Sequence, residues 1–268
     1  MKKASPSIEE YLLRWQLLPD GEAFHTNTST LQPVIFSGRK AMLKIAHHEE
    51  ERRGAHLMIW WNGRSSARIY RSDARALLME RGDTQKLLVK MAHAGEDEAA
   101  TRIICEVIRN LHQPQPDPPA LVPLQTWFSD LEDFASTKGG LFADGWRMAA
   151  ELLPAQENAG ALHGDIHHGN ILWGEKGWFA IDPKGLYGER TFDYANLFCN
   201  PDVETATSRP LFHRRLGQVS ALAGVAPMRL LQWIAAWSAL SAAWQILDGQ
   251  NADGTLQITR LALYAVEK

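Results

Sequence analysis

Two short stretches constrain this chain more than anything else in it: His163-Gly-Asp-Ile-His-His-Gly-Asn170 and, further on, Phe179-Ala-Ile-Asp182-Pro. They set one carboxylate, Asp165, five residues ahead of a carboxamide, Asn170 (165 to 170), and seventeen ahead of a second carboxylate, Asp182 (165 to 182). Gly164 and Gly169 suit a tight, irregular loop around Asp165. Trp178 to Ile181 reads as a short buried strand that delivers Asp182 at its end. Both acids are thus presented from rigid backbone. Phosphoryl transfer needs such an order. The donor brings several negative charges, so Mg²⁺ must be held by hard oxygen ligands, and a separate carboxylate must orient the acceptor hydroxyl and take its proton. Asn170 and Asp182 suit the metal, and Asp165 suits the base.

His163 and His167 lie four apart with His168 alongside, which is also the spacing of a helical zinc pair. Two glycines within eight residues argue against a helix there, so His163 is expected to pack and brace the loop. His167 and His168 have no assigned role. Asp193, in Thr191-Phe-Asp-Tyr-Ala-Asn196, reads as a helix-start cap.

His-Gly-Asp-x-His-x-x-Asn followed by Ile-Asp-Pro resembles the catalytic loop and metal motif of the aminoglycoside phosphotransferases. Leu162 to Ile171, Gly177 to Pro183 and Leu240-Ser-Ala-Ala-Trp244 are similar to the streptomycin 6-kinase branch of that family. The resemblance implies an α+β, protein-kinase-like two-lobed fold. A β-rich nucleotide-binding lobe would span residues 1–80, and a mainly helical catalytic and acceptor-binding lobe residues 81–268. ATP and Mg²⁺ are the implied cofactors. The resemblance also gives Asp193 a supporting role, bonding the backbone of the catalytic loop.

A kinase-like site further needs a lysine on a strand to meet the donor phosphates and an acid on the next helix to hold it. Lys44, in Ala41-Met-Leu-Lys-Ile-Ala46, takes the position of the family's lysine, and Glu51, in Glu51-Arg-Arg-Gly-Ala55, that of the acid. Alone, a strand lysine reads as a solvated edge and Glu49 to Glu51 as an exposed face. Their distance ahead of the catalytic loop singles them out. Ala76 to Gly82 reads as an apolar strand ending in a turn and resembles the hinge that holds adenine, with Glu80 at its end. Neither Gly-x-Gly-x-x-Gly nor Gly-x-x-x-x-Gly-Lys-Ser/Thr occurs. The polar run Thr26 to Thr30 stands instead, with Ser29 and Thr30 as candidate phosphate contacts.

Elsewhere, a helix is expected from about Glu49 to Trp60. Another runs from Glu96 to His112, where Ala100, Ile103, Ile104, Val107, Ile108 and Leu111 recur at helical spacing. Gln113 to Pro119 stops it with an extended, proline-rich connection. After Asp182 the chain reads as helical. A net charge of −3 offers no basic surface for nucleic acid. Met1-Lys-Lys3 leads into polar residues rather than an apolar run. The Trp-rich stretch Leu230 to Leu247 is interrupted by Gln232, Ser238, Ser241 and Gln245, which suits a buried helix rather than a membrane span. Cys105 and Cys199 form no close pair. These features point to a cytoplasmic protein, with the oligomeric state left open.

The acceptor side is read from the last third. Trp233, Trp237 and Trp244 fall within about 40° on a helix, a stripe that belongs to a core unless one ring is free to stack on a sugar or a cation. Glu189, Asp202, Glu204 and Asp248 are acids that would suit a positively charged acceptor. The expectation is an ATP-dependent small-molecule kinase acting on a hydroxyl of an aminoglycoside such as streptomycin, with Glu189, Asp248 and Trp244 as acceptor contacts. A sugar or amino-alcohol kinase of the same fold is the alternative. A kinase-like binding module without turnover is a third reading, against which the intact set Lys44, Asp165, Asn170 and Asp182 counts.

Overall fold

The computed structural model describes residues 7–268, so Met1-Lys-Lys3 lies outside the described residues. An antiparallel sheet comes first. Strands Ser29–Phe36 and Arg39–Ala46 form a hairpin through Ser37 and Gly38, both at positive φ. That backbone matches the natural twist of the two strands. Ala76–Glu80 pairs on the far side of the Lys44 strand, followed by Ile69–Ser72.

Side chains along Arg39–Ala46 alternate, as a strand requires. Ala41, Leu43 and Ile45 join Val34 and Leu78 in a core capped by Tyr11 and Trp15 of the helix Ile8–Trp15. Met42 packs with the second cluster, around Met58, Leu77 and Met79. Lys44 pairs with Leu31 on one side and Leu77 on the other, so it stands inside the sheet and not on an edge.

Helix Glu49–Trp61 begins with three acids, which complement its unpaired N–H groups. Met58 packs under the sheet, whereas Leu57 and Trp61 join the core of the helical part. This one helix therefore belongs to both halves of the molecule. The first sheet closes at Glu80, and the next strand, Asp83–Leu87, pairs instead with the hairpin Ile171–Gly174/Gly177–Ala180. Between them, a Cβ on Gly82 would lie 2.5 Å from that of Leu172, so only glycine fits the crossing.

The second half is built around helix Pro227–Leu247, which packs on Leu141–Leu152, Asp253–Val266 and the segment Arg190–Cys199. It is long and apolar enough to cross a membrane, but it is enclosed by these elements, and a helix buried on most sides is apolar all round. Helix Asp97–Leu111 follows the expected periodicity. One element departs from the helical reading of the region after Asp182. Leu186–Glu189 is a strand, paired with Ala159–Leu162 and Val122–Pro123. Those partners are remote in sequence, and nothing in four residues announces them.

Candidate active site

The catalytic loop leaves strand Ala159–Leu162 through a fully buried His163. The amide of Asp165 donates to His163 Nδ1 at 3.2 Å, and His163 Nε2 donates to the carbonyl of Ile181 at 2.9 Å. These two bonds require one neutral tautomer. Burial supplies it, pushing the imidazole pKa down to about 4. The ring stacks on Trp61. Asp193 is also buried and takes hydrogen bonds from His163 N (2.9 Å), Gly164 N (2.7 Å) and His112 Nε2 (2.8 Å). Burial alone would raise its pKa, but the bonds from His112 and Gly164 hold it below the ordinary carboxylate value. Asp193 lies inside the 3₁₀ segment Arg190–Cys199 rather than before a helix. What it caps is the loop that carries Asp165.

The carbonyl of Asn170 receives the amide of Ile181 at 2.9 Å, which brings the two motifs side by side. Asp182 follows at φ +59°, in the left-handed region that few side chains tolerate. Lys44 reaches it, with Nζ 2.7 Å from Asp182 Oδ1, and is also paired with Glu51. Thr28 Oγ1 donates to the same Glu51 at 2.6 Å. Burial works against the ammonium charge, yet Asp182 and Glu51 together raise the lysine pKa above its usual value.

Asp165 presents its carboxylate between two amides. Asn170 Nδ2 lies 3.3 Å from Oδ2 and 2.9 Å from the main-chain oxygen of Asp165, while Asn196 Nδ2 lies 2.9 Å from Oδ1. Burial raises the Asp165 pKa, and His167 and Lys184 oppose it. At 4.0 Å, His167 Nε2 is beyond hydrogen-bond reach of the carboxylate.

Two clefts are lined by these acids, Asp182 in one and Asp165 in the other. One, of about 1010 Å³, combines an apolar lining of Leu31, Met42, Met79, Leu172 and Ile181 with Glu80 to Gly82 and Asp182. The other, of about 640 Å³, has Asp165 in its wall together with Glu50, Asp130, Asp248 and the rings of Trp127, Trp237 and Trp244. Trp244 Nε1 donates to Asp130 at 2.7 Å. Lys184, in the same cleft, pairs with Glu50 at 2.7 Å.

The structure brings Lys44, Glu51, Asp165, Asn170 and Asp182 together, and it puts Asp248 and Trp244 beside Asp165. The tryptophan stripe divides: Trp233 is wholly buried, Trp237 nearly so, and Trp244 faces the cleft. Glu189 is placed elsewhere. It is fully buried and bonded to Arg229 at 2.6 and 2.8 Å, so it braces the fold and does not face an acceptor. Asp202 caps the helix Val203–Thr207 and bonds His93. Ser29 and Thr30 are buried too, with Thr30 Oγ1 between His25 (2.9 Å) and His47 (2.8 Å). Among the described residues it is Thr26 of that run that lines the larger cleft. Glu80 Oε1 accepts from Glu175 N at 3.1 Å, tying the hinge to the hairpin turn. Sequence reading missed Asp130, Lys184, Glu50 as a cleft residue, and Asn196. Asn196 had a faint signal: it stands three residues after Asp193, one 3₁₀ turn.

Known proteins are similar to this chain. Streptomycin 3″-kinase of Klebsiella pneumoniae is 46% identical over 88% of this chain and 91% of its own length. Streptomycin 6-kinase of Streptomyces glaucescens is 28% identical over 91% of this chain and 84% of its own. Among solved structures, choline kinase LicA from Streptococcus pneumoniae superposes with a TM-score of 0.65 at 13% identity, covering 97% of both chains. The streptomycin–ATP ternary complex of the aminoglycoside phosphotransferase APH(2″)-IIa gives 0.62 at 14%, covering 98% of this chain and 97% of that one. At such identities the likeness concerns the fold, which is protein-kinase-like. The model of the aminoglycoside/hydroxyurea antibiotic resistance kinase family matches residues 14–249, and the chain is a member of that family.

Proposed function

We propose that this enzyme transfers the γ-phosphoryl group of ATP to a hydroxyl of streptomycin, with Asp165 as the base. The observation that carries the reading is that the side-by-side motifs put one acid in each of two clefts. Asp182, which Lys44 bonds, lines the larger one, and Asp165 stands in the wall of the smaller one, among acids and indole rings. Adenine occupies the apolar lining between Leu31 and Leu172. Lys44, held by Glu51, contacts the donor phosphates. The acceptor hydroxyl gives its proton to Asp165 as its oxygen bonds to the γ-phosphorus, and the bond to the bridging oxygen of ADP breaks.

Mg²⁺ belongs to the same proposal, and the residues fit it. Asn170 uses its amide nitrogen on Asp165, and Asp182 uses Oδ1 on Lys44, so Oδ1 of the first and Oδ2 of the second remain for a hard cation. When bound, Mg²⁺ supplies positive charge to the donor phosphates.

Streptomycin carries planar guanidinium groups, which carboxylates orient through paired, charge-assisted hydrogen bonds. Glu50, Asp130 and Asp248 supply carboxylates around the smaller cleft, and Trp127 and Trp244 offer flat surface for the sugar rings. The 3″ position is favoured over the 6 position by the greater identity to the 3″-kinase. The reaction is assigned to the cytoplasm, where ATP is abundant. The test is to incubate purified protein with Mg-ATP and streptomycin and locate the phosphate on the product by NMR. Phosphate on the 3″-hydroxyl is the expected result. No product from streptomycin, together with turnover of an amino alcohol or sugar, would make this a metabolite kinase.

A further inference from the structure

We propose that Asn196, itself fixed by Trp237 and Asn200, is a positioning residue that holds the Asp165 carboxylate in the orientation that receives the acceptor proton. The proposal rests on Asp165 being the base. The Asn196 amide has no freedom to flip. An indole N–H only donates, and Trp237 Nε1 lies 3.0 Å from Asn196 Oδ1. Asn200 Nδ2 approaches the same oxygen at 3.2 Å. With two donors on Oδ1, the nitrogen of Asn196 must face Asp165, where it donates to Oδ1 at 2.9 Å. Asn170 holds the other carboxylate oxygen at 3.3 Å. The carboxylate is thus gripped on both sides, and turning it would break two bonds.

The backbone explains why one segment does two jobs. Arg190–Cys199 is a 3₁₀ helix of 10 residues, although such runs rarely exceed about four. With three residues per turn, side chains at i and i+3 eclipse. Asp193 and Asn196 (193 + 3 = 196) therefore project the same way. The first clamps the amides of His163 and Gly164, and the second clamps the side chain of the next residue, Asp165. Trp237 is wedged between Phe192 and Trp244, with ring centroids 5.4 and 5.8 Å away. The aromatic wall of the acceptor cleft and the catalytic carboxylate are therefore one connected unit.

Steady-state kinetics with ATP and streptomycin on the parent, Asn196→Ala, Trp237→Phe, Asp165→Asn and the Asp165→Asn/Asn196→Ala double variant test this. Asn196→Ala should lower kcat roughly tenfold to hundredfold, as for loss of a hydrogen bond to a charged group, with KM for ATP unchanged. Trp237→Phe keeps the ring packing and Asn200, so its kcat should fall only about twofold to tenfold. On the Asp165→Asn background Asn196→Ala should cost nothing more, because residues acting as a unit are not additive. Parent kcat in Asn196→Ala, or its full loss repeated on the Asp165→Asn background, overturns the proposal. Should Asn196→Ala fail to fold, a Trp237→Phe enzyme with parent kcat overturns it alone. An Asp165→Asn enzyme at the parent rate is a different result: it removes the base assignment, and the relay with it.

Discussion

Asp182 occupies a left-handed backbone conformation that asparagine also tolerates well. Asp182→Asn should therefore preserve the turn and delete only the charge that faces Lys44 and a cation. Magnesium-dependent ATP binding is expected to weaken at least tenfold or so, the scale of one charge-assisted bond, with little change in Tm. Calorimetric titration with and without Mg²⁺ checks this, and unchanged magnesium dependence would remove Asp182 as a metal ligand. His168 behaves differently. It is buried, no described residue bonds either ring nitrogen, and burial pushes its pKa down to about 3. His163 is lowered to about 4. An unfolded histidine titrates near 6.5, so above that pH the protonation of neither ring affects stability. Below it, the unfolded chain takes up protons that the fold refuses, and stability falls as pH drops from about 6.5 towards 4. His168→Leu should flatten that decline by up to one proton and hold or raise stability at pH 7, read from urea midpoints at pH 7 and pH 5. A slope equal to the parent's would show that His168 is not the group refusing the proton. The role proposed for Asp165 was read from spacing alone. Asn196 was not, because its value depends on an indole 41 residues further on.

Gly54 shows how an element can be read correctly and still hide its purpose. In a helix interior, glycine to alanine gains about 1 kcal/mol by propensity. Here an added Cβ would lie 2.1 Å from the carbonyl oxygen of Pro183, a contact that backbone cannot relieve cheaply. The same helix carries Glu51, which holds Lys44, and Glu50 and Arg53, which hold the side chain and carbonyl of Lys184. Gly54→Ala should push this helix off the Asp182-Pro-Lys turn, lowering both Tm and kcat/KM for ATP, the latter by roughly tenfold on the loss of such bonds. A more thermostable variant with parent kinetics would refute that account. The helix Asp97–Leu111 was evident from periodicity, and the Lys44 strand was read from the run Ala41 to Ala46. The strand Leu186–Glu189 was not, since four residues carry too little pattern and its partners are tertiary.

Across the whole molecule, a net charge of only −3 conceals a local concentration of acids in the smaller cleft. A cationic acceptor should be drawn there by a field that salt screens, with a Debye length near 10 Å at 0.1 M. KM for streptomycin is therefore expected to rise several-fold between about 0.05 and 0.5 M KCl. In an Asp130→Asn/Asp248→Asn variant it should start higher and respond less. A salt-independent KM in the parent would argue against an electrostatically recognised acceptor. Sequence by itself determined the family and the candidate groups: Lys44, Asp165, Asn170 and Asp182 stand in short local motifs, and the phosphoryl transfer proposed here calls for such groups. Periodicity likewise determined the helix Asp97–Leu111, because burial on one face repeats along it. Only the tertiary structure decided which acids line the smaller cleft. Glu189 turned inward to Arg229, while Asp130, absent from any motif, came to the cleft beside Asp248. Charge and type are properties of a residue, but the side of the fold on which it emerges is set by partners distant in sequence, Arg229 for Glu189 and Trp244 for Asp130.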